Sequence, residues 1–331
     1  MSMVSQTPGA AGPRLPCLFE PSGATTALPE FVAGHVSSIR GKLLEHGAVL
    51  LRGFAVKRPE DFGEFITALG MKTLNYTYRS TPRTSRGPGL YTATEYPAAR
   101  EIPLHNENSY QRVWPRKLAF CCLRAASAGG ATPLADMRAA TRSVDRQVLD
   151  KFRRLGVRYD RVFHAHIDLS WQDAFQTQDR GEVERFCEEN GIQHAWLEDD
   201  VLKTSQVCPG VVRHDESDEE FLFNQAHLFH PSALGERTLQ HMLEAFGREL
   251  LPRNAFYGNG EEIGNETLQT LRVAYAQAAF DLDWLPGDVA LIDNVQVAHG
   301  RRSYSGERQV LAALLEPNLA TGQSAHSTEA A

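Results

Sequence analysis

The sequence predicts a single globular domain, mainly β with flanking helices, and three observations predict it. Short apolar runs of strand length, among them AVLLRGF, KLAFCCLRAA, GDVALIDN and RQVLAALLEP, recur from one end of the chain to the other. Segments with helical spacing of apolar residues stand between them, and the first two close on glycine. No internal repeat and no convincing linker divides the 331 residues, a length with ample material for a core.

The elements follow in order. After a Pro/Gly-rich arm over 1–24, expected to be flexible, Phe31, Val32, Val36, Ile39 and Leu43 recur at helical spacing and the helix ends on Gly47. AVLLRGF is a short apolar strand; RPEDFGEFITALG opens with proline and acids, closes on Gly70, and reads as a second helix. TPRTSRGPG is a loop and LYTATEYP a strand leading into PLHNENSY. KLAFCCLRAA is a buried strand that places Cys121 and Cys122 in the core, followed by a break at Gly129 and Gly130 before Thr132. A helix over about 137–154 and the strand GVRYDRVF come next.

Residues 165–218 are polar, carry one acidic helix, and read as an insertion outside the core. FLFNQAHLFH reads as a strand, and amphipathic helices follow at about 235–250 and 264–279. GDVALIDN and RQVLAALLEP are apolar strands separated by VQVAHGRRSYSGE, and 318–331 is a low-complexity tail.

Composition narrows the partners. A formal net charge of -7 and a pI near 6.0, without Lys/Arg runs, give no electrostatic footprint for nucleic acid and no basic face for a membrane. The expected partner is a small molecule or a protein that tolerates an acidic surface. Five cysteines without a C-x-x-C pair indicate neither a disulfide framework nor a cysteine zinc site, and a reducing cytoplasm fits them. The first residues lack a basic stretch followed by an apolar one, and no apolar run reaches transmembrane length.

The chemistry gathers around PLHNENSY. In an extended strand end residues i and i+2 face one side, so His105 and Glu107 direct an imidazole and a carboxylate to one point. A mononuclear iron site of the two-histidine, one-carboxylate type needs a third ligand and keeps its remaining positions open. His299, in the loop after GDVALIDN, is the candidate. Arg308 starts the next strand, where a fork-shaped guanidinium suits bidentate capture of a carboxylate, and Thr132 offers a hydroxyl to the same group. Singly each has an ordinary reading: a loop histidine, a surface ion-pair partner, a helix cap or turn.

Taken together, TEYP followed by PLHNENSY, then GGATPLADM, FNQAHLFH, PGDVALIDN and AHGRRSYSGER, resemble the taurine dioxygenase/TfdA-type iron(II)- and 2-oxoglutarate-dependent oxygenases, over roughly residues 25–317. Within that family the chain is most similar to the syringomycin-type amino-acid hydroxylases of peptide natural-product pathways, through LHNE and HGR. The resemblance implies a double-stranded β-helix, or jelly roll, in one domain over 25–317. It implies iron(II) held by His105, Glu107 and His299, with the far carboxylate of 2-oxoglutarate held by Thr132 and Arg308. It also implies hydroxylation of an unactivated C–H bond on an amino acid or an aminoacyl group tethered to a carrier protein.

Glu107 stands where the taurine branch carries Asp and where carrier-protein halogenases carry a small residue, which favours hydroxylation over chlorination. Desaturation, epoxidation and ring formation share the oxidant and stay open beside hydroxylation, as does a catalytically silent jelly-roll binding protein.

Other residues have two readings each. Asn224 lines the pocket or ends a strand; Arg301 and Arg302 reach a substrate carboxylate or phosphopantetheine, or lie at the surface; Glu95 and Tyr96 flank the substrate mouth or bond structurally. Asn106 and Asn108 orient the ligands or cap a turn. His227 and His230, three apart, suggest zinc but lack a third ligand, so a packed strand-exit histidine is favoured.

Overall fold

The computed structural model describes residues 16–21, 27–74, 77–81, 83–87, 89–93, 96–165 and 167–318. Its frame is two sheets packed face to face. The larger has seven strands in the order Cys17–Phe19, Ala48–Leu51, Val289–Asp293, Pro115–Arg124, Gln309–Pro317, Leu90–Thr92 and Ser85–Gly87. The smaller has four, in the order Ala279–Leu282, Thr132–Asp136, Val297–Arg301 and Ile102–His105. Neighbouring strands pair antiparallel except Cys17–Phe19, which runs parallel to Ala48–Leu51. This is the jelly-roll arrangement, and the sequence patterns say why it forms.

Central strands of the large sheet are apolar on both faces because both are covered. Alternate residues part company: Val49, Leu51, Ala119, Cys121 and Leu291 pack under the helices Leu28–His46 and Pro59–Leu69. Leu50, Phe120, Cys122 and Ala290 meet Leu134, Val297 and Leu282 of the small sheet. Burial pushes the Cys122 thiol up to about 11, as expected of a packed cysteine and not of a nucleophile.

A third sheet, Gln193–Trp196, Leu202–Cys208, Val157–Phe163 and Arg253–Tyr257, closes the other side of the small sheet over the largest apolar cluster. Here the polar stretch 165–218 departs from its expected role outside the core. It supplies two strands of this sheet and buries Trp171, Phe175, Val183, Cys187 and Leu202. Its apolar residues are sparse but fall on one side of each short element, which average polarity conceals.

Other differences are local. Cys17–Phe19 is an edge strand and not part of a loose arm. The expected helix over 137–154 is two, Met137–Ser143 and Arg146–Leu155, because Asp145 caps the second through Gln147 N. FLFNQAHLFH is a three-residue strand, Glu220–Leu222, followed by a short helix, Ala226–Phe229. No helix among the described residues is long and apolar enough to cross a membrane.

Candidate metal centre

His299 stands on a strand, Val297–Arg301, and not in a loop, because V-A-H-G-R pairs on both edges. Its neighbours are Thr132–Asp136 on one side and Ile102–His105 on the other. His299 and His105 are direct cross-strand partners, their rings 4.5 Å apart. The register shifts just beyond, between His299 and Arg301, and Gly300 sits in that irregularity. A methyl group on Gly300 would fall 2.6 Å from the Ile102 carbonyl oxygen, so only glycine lets these strands meet.

Glu107 lies past the end of its strand in a turn whose Asn108 takes a φ of 57°, a conformation asparagine tolerates. Alternation along a strand therefore does not by itself aim the carboxylate. Asn294, which follows Val289–Asp293, clasps the turn. Its Oδ1 accepts from Glu107 N at 2.7 Å, and its Nδ2 donates to the Glu107 and Pro115 carbonyls. Asn106 completes the clasp, donating to Asn294 O and accepting from the Tyr275 hydroxyl. Asn106 thus fixes the turn that carries the candidate ligand, while Asn108 accepts from Gln111 N through its carbonyl and, at 3.4 Å, from the Tyr110 hydroxyl through its side chain.

Nε2 of His105 and of His299 lie 3.9 and 3.6 Å from Glu107 Oε2, and ligand atoms of all three fall within 4.8 Å of one another. This is the one such cluster of histidine, cysteine and carboxylate among the described residues. The Pro103 carbonyl accepts a hydrogen bond from His105 Nδ1 at 2.8 Å, which places the proton there and leaves the Nε2 lone pair facing the cluster. Burial, reinforced by His299, brings the His105 pKa down to about 4, so the ring is neutral and ready to ligate near pH 7.

Burial alone would raise the Glu107 pKa. The Arg83 guanidinium and the histidines outweigh it and hold the carboxyl well below its usual range. Two imidazoles and one ionised carboxylate, with room beside them, fit iron(II).

Two cavities flank the cluster. The narrow one, about 30 Å³, is lined by Arg83, His105, Thr132, His299, Arg301 and Arg308. Thr132 begins a strand, and its hydroxyl accepts from Trp284 Nε1. Arg308 sits one residue before the last strand and donates from Nε to the Gly130 carbonyl. Gly130 takes a φ of 77°, and a methyl group there would fall 3.2 Å from the Arg308 stem, which explains the glycine at this break. No carboxylate among the described residues pairs with Arg308.

The wide cavity, about 540 Å³, opens on the other side past Tyr96, Ile102, Gln225 and Phe229. His105 and Glu107 line it too, so the ligand set divides the two spaces.

The remaining candidates separate. Arg301 is buried, but its guanidinium is spent on the Tyr96, Pro97 and Arg100 carbonyls, so it holds the loop that brings Tyr96 to the wide cavity. Arg302 is a surface residue paired with Asp281 and Glu101. Asn224 does not line either cavity; it donates to Gly210 O and accepts from Ala226 N at the start of the short helix. Glu95 lies outside the described residues. His227 donates to the Leu104 carbonyl, and His230 Nδ1 accepts from Ser232, so neither ligates.

Sequence reasoning missed Arg83 and the Asn294 clasp. Arg83 belongs to a loop with no periodicity, and nothing in TPRTSRG marks a residue that will fold against Glu107.

A family model described as "Taurine catabolism dioxygenase TauD, TfdA family" matches residues 13–314. The chain is 42% identical over 296 residues to the dapdiamide synthesis protein DdaC of Enterobacter agglomerans, covering 89% of each. It is 30% identical over 283 residues to a clavaminate synthase-like protein of Arabidopsis thaliana, covering 82% of each.

Among solved structures it resembles PvcB of Pseudomonas aeruginosa, with a TM-score of 0.53 and 17% identity over 90% of this chain and 84% of that one. It also resembles an asparagine oxygenase solved with Fe(II), 2S,3S-3-hydroxyasparagine and succinate, with a TM-score of 0.53 and 15% identity over 86% and 79%.

Proposed function

The chain belongs to the TauD/TfdA family of dioxygenases, and from that premise we propose that it uses iron(II), 2-oxoglutarate and dioxygen to hydroxylate an amino acid or a carrier-tethered aminoacyl group in natural-product assembly. The observation that carries the proposal is the position of His105, Glu107 and His299 between a small arginine-lined cavity and a large, mostly apolar one. The small space suits a short dicarboxylate, and the large one has the size of a substrate pocket.

Iron(II) bound by the three ligands would supply dioxygen activation coupled to conversion of 2-oxoglutarate into succinate and carbon dioxide. The protein's share is positioning. Arg308 presents an uncompensated guanidinium and Thr132 a hydroxyl to the far carboxylate, while the Trp284 bond fixes the threonine rotamer. Arg301 holds the 96–100 loop, and Asn294 keeps the Glu107 turn in place. The relative named for dapdiamide synthesis supports a natural-product setting.

The test is to load the protein with iron(II) without oxygen, then add 2-oxoglutarate, oxygen and a panel of free and carrier-loaded amino acids. Succinate and a product heavier by one oxygen atom are expected. Failure to retain iron, together with no succinate from any substrate, overturns the reading.

A further inference from the structure

The wide cavity contains one ion pair away from the metal ligands, Asp168 with Arg253, on walls that are otherwise mostly apolar. Arg253 opens the strand Arg253–Tyr257. Its Nη2 donates to Asp168 Oδ1 at 2.7 Å and to Ser80 O at 2.6 Å, and its Nε donates to Asp168 Oδ2. The guanidinium carbon lies 5.3 Å from the centre of the Phe229 ring, which fixes its plane against the wall.

Both side chains line the cavity and keep 27% and 29% of their surface accessible. Asp168 adopts a φ of 60°, a left-handed conformation that aspartate tolerates. A pair of opposite charges on a largely apolar wall gains little from its own attraction once desolvation is counted. Its value lies in what it can bind.

We propose that Asp168 and Arg253 form a head-group site for a free α-amino acid, with Arg253 taking the α-carboxylate, Asp168 the α-ammonium, and apolar residues such as Leu228 and Met242 the side chain. This rests on the oxygenase reading and deepens it. A zwitterion carries both charges side by side, as the pair does, and a charge set against the apolar part of this wall would be costly without a partner. A carrier thioester has no α-carboxylate to offer Arg253, so the pair selects the free amino acid. Among the other polar groups lining the cavity, His105 and Glu107 belong to the metal cluster, Gln225 donates to the Asn106 carbonyl and His230 Nδ1 accepts from Ser232. If the pair instead only pinned residues 167–169 to the sheet, its loss would weaken every substrate alike.

The experiment uses the full-length iron(II) protein with 2-oxoglutarate. The common L-amino acids are screened by calorimetry and by turnover. Each one bound is then compared with its α-carboxamide, its des-amino acid and its N-acetylcysteamine thioester, the last standing in for a carrier. The wild type is expected to favour the free acid at least tenfold in kcat/KM.

Arg253→Gln should raise KM for the acid at least tenfold and remove the preference over the amide. Asp168→Asn should remove the preference over the des-amino compound. Metal content and 2-oxoglutarate affinity should stay at wild-type levels in both. Equal weakening of all analogues, preference for the thioester, or no amino acid bound at all overturns the proposal. Absence of succinate from the wild type would instead strike the oxygenase reading, and calorimetric binding of the amino acid would still judge the head-group site.

Discussion

Arg83 and Glu107 are joined by a 2.6 Å hydrogen-bonded ion pair in which each side chain is only 3% exposed. A buried carboxylate stripped of its partner costs on the order of 3–5 kcal/mol. Arg83→Ala should therefore lower the melting temperature of the metal-free protein markedly. A divalent ion replaces part of the missing positive charge, so added metal should raise the melting temperature of the variant by more than it raises the wild type. Scanning calorimetry with chelator and with metal decides it; equal increments in the two proteins would show that Arg83 does not balance the ligand charge.

His299→Ala removes the one ligand contributed by the later half of the chain. The variant should lose both metal retention after desalting and 2-oxoglutarate turnover, while circular dichroism stays close to wild type. Metal analysis checks it, and full occupancy in the variant would remove His299 from the centre.

For Arg308, lysine keeps charge and loses the fork, so Arg308→Lys should raise KM for 2-oxoglutarate strongly and leave metal content intact. Truncating one partner of a buried charge pair costs on the order of 2–5 kcal/mol. Arg308→Ala should thus weaken 2-oxoglutarate roughly thirtyfold or more. Titrating 2-oxoglutarate and substrate separately shows which constant moves; a shift confined to the substrate would place Arg308 in the other cavity.

Acid should destabilise the metal-free protein through its buried histidines. Burial lowers both His105 and His227 from 6.5 to about 4. Between those values the unfolded chain binds more protons than the folded one, so stability rises with pH across the window. It is full above about pH 6.5 and falls as the pH drops toward 4. Denaturant melts at several pH values should show this slope, and His227→Phe should flatten it while also losing the bond to the Leu104 carbonyl.

Much of this was legible in the sequence, for reasons that differ by residue. The strands around Phe120, Leu291 and Leu311 announced themselves because both faces of the large sheet are covered, so their apolar runs are unbroken. That His105, Glu107 and His299 meet was legible from residue type and order. How they converge was not: the turn at Asn108 and its clasp by Asn294 depend on pairing between distant strands. Arg301 misled because an arginine beside a ligand suggests a ligand contact, whereas three backbone carbonyls claim it. The stretch 165–218 misled because a few buried residues per short element suffice to join a core.

The cross-strand pairing of His105 with His299 also sets an order of events during synthesis. The first two ligands leave the ribosome long before the third, and the strand bearing His299 must find partners made much earlier. Such non-local pairing is the slow part of folding. An emerging chain therefore carries half a metal centre and cannot use iron as a folding nucleus, in contrast to small zinc domains that fold on their ion. Iron should therefore load last, into a finished protein, and expression in iron-poor medium should yield folded apoenzyme that can be charged afterwards.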